Sequence, residues 1–473
     1  MNFFKTSFFK NLSMAFVANL VSLVGSTVLT LILPKFIGVT QYAYYQLYIF
    51  YASYIGFLGI GWLDGIYLRY GGKYYEKIDK KLFSAQFRTY SLFESLLSII
   101  IFIITILNFP GYEKEFVYLC CCLCIIIYMP RAILHNLLQT TGRIKEYAQG
   151  LIIEKIIHII ITLMGILIGR GDFEWFIISE LLGRLSATLY IFYICRDILI
   201  AEPYPTKKII SEIKINIVCG ISLMVSNIAS MFVIGAMRQA IVMQWDIETF
   251  GKISLTLAIS HLLLIFINSV AMVLFPLLKR IDKIELSKIY AKIQSLLMVI
   301  AFSSLLFYLP VRKIFSLWLP EYAESFKYMA ILFPMIVFES KMALLINTYM
   351  KALRLERKLL LINLISVGIS IIMAYISCAI LHSLDCAIMS IILVLSIRCV
   401  MAEFVLKKHV DIKIYKNILW EIILTVTFIV GSWYINGLYG LLLYMISYLI
   451  FCIFNSKQIY FASKELISAN NKE

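Results

Sequence analysis

The chain is a succession of apolar runs closed by short polar turns. Each run is about twenty residues long, the length of helix that crosses a hydrocarbon core of roughly 30 Å. Strand-like alternation is missing, which argues against an outer-membrane barrel, where lipid-facing and lumen-facing residues alternate. The pattern places spans at about 12–33, 42–68, 87–108, 115–138, 150–169 and 175–195. Further spans follow at about 215–240, 250–278, 290–311, 325–350, 359–381, 386–406, 417–435 and 438–454. The expected fold is an all-α polytopic membrane protein with about fourteen transmembrane helices.

Charge in the turns tests that count. Arg69, Lys73, Lys77, Lys80, Lys81 and Arg88 fall on one side, as do Arg143, Lys145, Arg196, Lys207, Lys208 and Lys214. The same side holds Lys279, Arg280, Lys283, Lys288, Lys292, Lys351, Arg354, Arg357, Lys358, Lys407, Lys408, Lys413 and Lys416. The opposite side carries only Lys35, Lys114, Arg170, Lys252, Arg312, Lys313 and Lys327. The rich side is cytoplasmic by the positive-inside rule, and both termini are expected there. Removing or adding one helix would scramble the alternation. No cleavable signal is expected, because Lys5 and Lys10 precede a first span too long for a signal core.

Composition agrees with this reading. The 473 residues are 61% hydrophobic and 15% charged, with a mean hydropathy of +0.88, more apolar surface than a soluble fold could hide. The net charge of +15 lies mostly in the turns, so it reads as topology and no nucleic-acid partner is expected. The ten cysteines lie mostly inside apolar runs, as Cys120, Cys121, Cys122 and Cys124 do, where they act as small apolar fillers. Neither a metal site nor a disulfide framework is expected.

The longest linker, about 196–214, contains Pro203 and Pro205 and divides the chain near its middle. It separates a lobe over 1–200, with spans 1–6, from a lobe over 201–410, with spans 7–12. Residues 411–473 then supply two further helices and a cytoplasmic tail. A weak repeat supports the division: Lys35 through Ala43 corresponds to Met243 through Gly251. In both copies a span ends, a short polar turn follows, and an aromatic, Tyr42 or Phe250, opens the next span. Such halves would be related by an axis along the membrane normal, as in an alternating-access transporter.

Ionisable side chains inside spans are costly and face a partner or water. The candidates are Asp64, Glu94, Arg131, Glu154, Lys155, His158, Glu180, Arg184, Arg238, His261, Glu339, Lys341, Arg398 and Glu403. Arg131, Arg184, Arg238, Lys341 and Arg398 stand out because they come from spans of both halves. A set of cations suits an anionic ligand such as a phosphate or pyrophosphate, which arginine binds through its planar fork. Asp64, Glu154, His158, Glu180 and Glu339 are the acidic or titratable groups that could couple transport to an H+ or Na+ gradient. Local alternatives exist: Glu180 with Arg184 and Glu154 with His158 at helical spacing, Arg398 with Glu403, and Lys341 with Glu339. Span 2 has Gly56, Gly59, Gly61 and Gly65, which permit close helix approach or bending. Pro130, Pro276 and Pro334 predict kinks in spans 4, 8 and 10.

No Gly-rich phosphate loop, HExxH or Walker lysine is present, so no catalytic residues and no cofactor are expected. A membrane-embedded glycan polymerase or glycosyltransferase should carry a sizeable extracytoplasmic loop, and the stretches near 109–114 and 312–324 are short. A drug or small-cation exporter would call for an acidic interior, whereas these spans lean basic.

Several segments resemble those of the Wzx-type polysaccharide flippases, within the multidrug/oligosaccharidyl-lipid/polysaccharide exporter superfamily. They are Leu33-Pro34-Lys35-Phe36-Ile37-Gly38, Leu138-Gln139-Thr140-Thr141-Gly142-Arg143, Phe250-Gly251-Lys252-Ile253 and Leu274-Phe275-Pro276-Leu277-Leu278-Lys279-Arg280. The resemblance covers nearly the whole length. It implies two six-helix lobes enclosing a cationic central cavity, with two peripheral helices. It also implies flipping of an undecaprenyl-pyrophosphate-linked oligosaccharide across the bacterial cytoplasmic (inner) membrane, for lipopolysaccharide O antigen, capsule or exopolysaccharide. Implied partners are that lipid-linked oligosaccharide, membrane lipids, a polysaccharide polymerase and a chain-length regulator. Members often carry an Asp-Arg pair late in span 7; here Arg238 matches and Met237 replaces the Asp.

Overall fold

The computed structural model describes residues 20–21, 24–108, 111–202, 206–261, 264, 283–410, 412, 414–435 and 437–470. Among these residues the chain is helical and contains no strand. It divides into two compact units, Met1–Ile228 and Ala229–Glu473.

The first unit opens with α1 (Val24–Phe36) and α2 (Val39–Ala52). A 3₁₀ turn at Ile55–Gly59 leads to α3 (Trp62–Tyr70), so that predicted span 2 is broken, with a 63° bend. The break follows from the backbone: Ile60 (φ 49°) and Gly61 (φ 78°) are left-handed, and a right-handed helix cannot run through them. Then come α4 (Lys80–Asn108), α5 (Tyr112–Thr140), α6 (Ile144–Leu167), α7 (Phe173–Ile194) and the short α8 (Arg196–Leu199). The long α9 (Thr206–Gln244) contains the division between the units. Its backbone touches the broken span directly. A Cβ on Gly65 would lie 1.9 Å from the Asn216 carbonyl oxygen, and one on Gly220 would lie 2.0 Å from that of Gly61. Only residues without side chains allow this approach. Arg69 locks the same seam, donating to Glu212 at 2.8 Å and to Asn216 at 2.6 Å.

Burial ranks the helices of this unit. In α5, 67% of the most apolar window is buried, against 22% in α4 and in α6. The outer face of α4 presents Leu92, Leu96, Ile99, Ile103 and Leu107 at helical spacing, an apolar stripe suited to lipid. Helix α5 is therefore the core helix, and a charge placed on it is placed in the interior. Pro130 lies inside α5 without interrupting it, as membrane helices tolerate when neighbours satisfy the freed backbone groups.

The second unit contains α10 (Ile247–His261), α11 (Lys283–Ser304) and α12 (Tyr308–Trp318). Helix α13 (Met335–Lys341) continues through a π turn at Met342–Ile346 into Asn347–Ala352. A 43° bend separates Ser325–Leu332 from Met335–Ala352, with Pro334 at the break. Then follow α14 (Glu356–Ala374), α15 (Leu384–Lys407), α16 (Tyr415–Ile429) and α17 (Gly437–Asn470). The last two are tied into this unit: the Tyr444 and Tyr448 hydroxyls of α17 donate to the Phe302 and Val299 carbonyls of α11, at 2.7 and 3.0 Å.

Among the described residues, ten helices are long and apolar enough to cross a membrane, or up to twelve if each bent pair is one span. The chain is thus a multi-pass helical membrane protein. Predicted spans 1 and 8 lie partly outside the described residues, and so does the expected kink at Pro276. The internal repeat has a local counterpart. Helices α1 and α2 are parted at Ile37 and Gly38, α9 and α10 at Trp245 and Asp246, and Tyr42 and Phe250 are both buried.

Candidate functional site

In the first unit four charged side chains from three helices meet. Arg131 of α5 is 2% exposed, and its Nη2 lies 2.6 Å from Glu154 Oε2 of α6. Arg184 of α7 reaches Glu180 Oε1, one turn earlier, through Nη2 at 2.5 Å and Nε at 3.1 Å. Its Nε also lies 3.9 Å from Glu154 Oε1, and its Nη1 donates to Cys124 Sγ at 2.8 Å. Both guanidinium groups lie over the Tyr128 ring, 5.1 and 5.3 Å from its centre, where the π face favours cations.

This arrangement decides between the local alternatives. Glu180 and Arg184 do pair along one helix. Glu154 instead turns to Arg131, a stronger and permanently charged donor than His158. The His158 ring is buried, and its Nε2 has no hydrogen-bond partner among the described residues. Within these four groups two cations and two carboxylates balance, and Lys155 is a further charged neighbour of Glu154. Exposure is uneven, however: Glu154 is 22% exposed and Arg131 only 2%. Arg184 and Glu180 lie between these extremes, at 14% and 9%.

The second unit holds two groups. Arg398 of α15 is buried, with Nη1 3.6 Å from Glu339 of α13. It donates from Nε to Asn363 Oδ1 at 3.0 Å and from Nη2 to Ser230 Oγ at 2.8 Å. Arg238 of α9 donates to Ser254 Oγ at 3.0 Å and lies over the Phe250 ring at 5.3 Å. His261 has Glu339 and Arg238 as its charged neighbours. Lys341 stands in the second group, 2.7 Å from Glu403 and 2.5 Å from Glu421. The local expectations are therefore exchanged: Glu339 pairs with Arg398, and Glu403 with Lys341. Residues two and five apart on a helix do not face each other, whereas side chains from packed neighbouring helices can.

The five candidate cations thus fall in three places within two units: Arg131 with Arg184, Arg238 with Arg398, and Lys341 apart. Asp64 makes no ion pair among the described residues. The sequence reading missed Glu421, which belongs to the predicted peripheral span 13; the available signal was one carboxylate within an otherwise uncharged Leu419–Phe428 run. Glu94, another ionisable residue of the spans, is fully buried beside Tyr90. No group of three or more potential metal ligands occurs among the described residues.

Outside the spans, Asp197 accepts from the Tyr75 hydroxyl at 2.9 Å and pairs with Lys80 at 2.8 Å. Burial alone would raise this carboxyl, but the Lys80 and Tyr75 hydrogen bonds outweigh it and hold Asp197 below the usual carboxylate range.

No protein-family model and no curated protein matches the chain. Solved structures do. The structure titled lipid II flippase MurJ, inward closed conformation, has a TM-score of 0.65 at 17% identity, covering 95% of this chain and all of that one. An inward-facing multidrug resistance MATE family transporter of the MOP superfamily scores 0.57 at 13% identity, covering 87% of this chain and 98% of its own. A MATE in complex with MaL6 scores 0.52 at 14% identity, with coverages of 88% and 96%. The chain has the fold of these transporters.

Proposed function

We propose that the chain is a flippase that moves a polyprenyl-pyrophosphate-linked oligosaccharide across the bacterial cytoplasmic membrane by alternating access. The observation that carries the reading is fold likeness over the whole length to a lipid II flippase, of which every part is covered. MATE transporters match less of the chain and with lower scores. The arginines within the spans would supply planar forks for an anionic headgroup once the carboxylates beside them are exchanged.

On this reading the chain has fourteen spans, as two six-helix lobes and two further helices, with both termini cytoplasmic. The glycan would serve O antigen, capsule or exopolysaccharide, with a polymerase and a chain-length regulator as later partners. Arg131 and Arg184 in the first unit, and Arg238 and Arg398 in the second, would each attract the pyrophosphate or acidic sugars. In the first unit the anion would have to displace Glu154 from Arg131, because the carboxylate covers the guanidinium. That exchange suits a carrier: a site that neutralises its own cations holds them charged when empty and releases the ligand without stranding them. Coupling to an H+ or Na+ gradient would supply the energy.

The test is translocation itself. Purified protein in vesicles should expose a labelled lipid-linked oligosaccharide to an enzyme added on the far side, and extension of the glycan by the protein would instead identify a polymerase. Neutralising Arg131 and Arg238 together should abolish surface glycan while the protein stays in the membrane. Normal glycan export in that double variant would remove these residues from the site.

A further inference from the structure

The Lys341 cluster of the second unit holds more carboxylates than cations. Lys341 faces two carboxylates, Glu403 and Glu421, and the three side chains are 3%, 0% and 2% exposed. From α11, Gln294 Nε2 and the Tyr290 hydroxyl donate to Glu403 Oε1, at 3.0 and 3.3 Å. The Tyr349 ring packs on Tyr290, and the Cys399 thiol lies beside the ammonium. Arg398, on the same helix as Glu403, is taken up by Glu339, Asn363 and Ser230. No second cation pairs with either glutamate among the described residues. Glu403 Oε2 is buried and, among the described residues, accepts no hydrogen bond.

One ammonium between two ionised carboxylates leaves a net charge of −1 away from water. An uncompensated buried charge costs several kcal/mol, and the usual escape is neutralisation. A metal cation would need further oxygen ligands, and both Oε1 atoms already face the ammonium. A proton needs only one lone pair, which Glu403 Oε2 offers. The place is also mechanically tender: the backbone widens into the π turn Met342–Ile346 immediately after Lys341, and Glu421 comes from α16. π turns of this kind concentrate at functional sites.

We propose that Glu403 and Glu421 share one exchangeable proton, making the Lys341 triad a proton-binding site of the second unit. Loss of the proton would set two ionised carboxylates, on α15 and α16, against a single ammonium. As the coupling site of transport it rests on the flippase reading; as a proton site it does not.

Infrared spectroscopy of the purified protein reads the proton directly. The difference between wild type and Glu421→Gln at neutral pH should contain one protonated carboxyl, shifted in D2O. The same band should be missing from Glu403→Gln, and both variants should melt close to wild type. Should either glutamine variant misfold, Glu421→Asp keeps the carboxyl and should keep a displaced band. Absence of the band from the wild-type difference overturns the proposal, as does absence accompanied by Na+-dependent thermal stabilisation that Glu421→Gln removes. In vesicles, an imposed proton gradient should speed translocation by wild type and not by Glu421→Gln. A band without any translocation by wild type leaves the proton site standing and removes the flippase reading.

Discussion

In the first unit two guanidinium groups, Arg131 and Arg184, face two carboxylates, Glu154 and Glu180; in the second one ammonium, Lys341, faces two. The first cluster reaches the surface through Glu154, which is 22% exposed, whereas no member of the second exceeds 3%. Balance and access go together. A cluster with one exposed edge can exchange a partner for a ligand, since each charge keeps a counter-charge during the exchange. A sealed, unbalanced cluster has no such route, and the smallest neutraliser is the one it can admit. The two regions also differ in donor type: a planar fork that grips phosphate-like anions, and a point charge that merely holds two carboxylates together.

The comparison breaks hardest at Lys341. Lys341→Met strands two glutamates in a sealed site and should cost about 5 kcal/mol, the upper end for breaking a buried pair. Thermal unfolding in detergent should show the largest fall of any single variant. Arg131→Met converts the first cluster to the composition of the second, two carboxylates against one cation. It should cost less, about 3 kcal/mol, because Glu154 is only partly buried. Equal losses for the two would show that exposure does not matter here.

Glu154→Gln sharpens the contrast further. It leaves an excess cation rather than an excess anion, and the amide oxygen still accepts from Arg131, so melting should register about 1–2 kcal/mol. Inorganic pyrophosphate should then stabilise the variant more than wild type. Asp197→Asn, outside the spans, should cost no more than about 1 kcal/mol, as for other exposed pairs. Because Asp197 sits below the usual carboxylate range, its contribution is present at neutral pH and fades as pH falls through its folded value; Asp197→Asn should flatten the acid limb of a stability profile. Glu421→Gln should be the quietest, within about 0.5 kcal/mol of wild type, since removing the surplus carboxylate leaves a matched Lys341–Glu403 pair.

Much of the fold can be read along the chain because spans are local. Helix α5 was expected at about 115–138 and runs over Tyr112–Thr140, since bilayer thickness sets length and a helix satisfies its own backbone. The bend in span 2 was legible as a capacity in its glycines. That it falls at Ile60 and Gly61 depends on α9, whose Gly220 and Asn216 meet the backbone there. Pro130 and Pro334 look alike in sequence, yet only Pro334 sits at a break, because the surroundings decide whether a missing hydrogen bond becomes a bend.

The charged residues divide the same way. Their presence within spans, and the pairing of Glu180 with Arg184, follow from hydropathy and helical spacing alone. The partners of Arg131, Lys341 and Arg398 lie 23, 62 and 80, and 59 positions away, and nothing local selects them. The sequence by itself determined a multi-pass helical chain, the turns between its helices and most, though not all, of the charges inside its spans. Which carboxylate answers which cation, and that one cluster is balanced while the other is not, only the tertiary structure decided. Hydrophobic length is a property of each segment, but an ion pair belongs to two segments that packing must first bring within 4 Å.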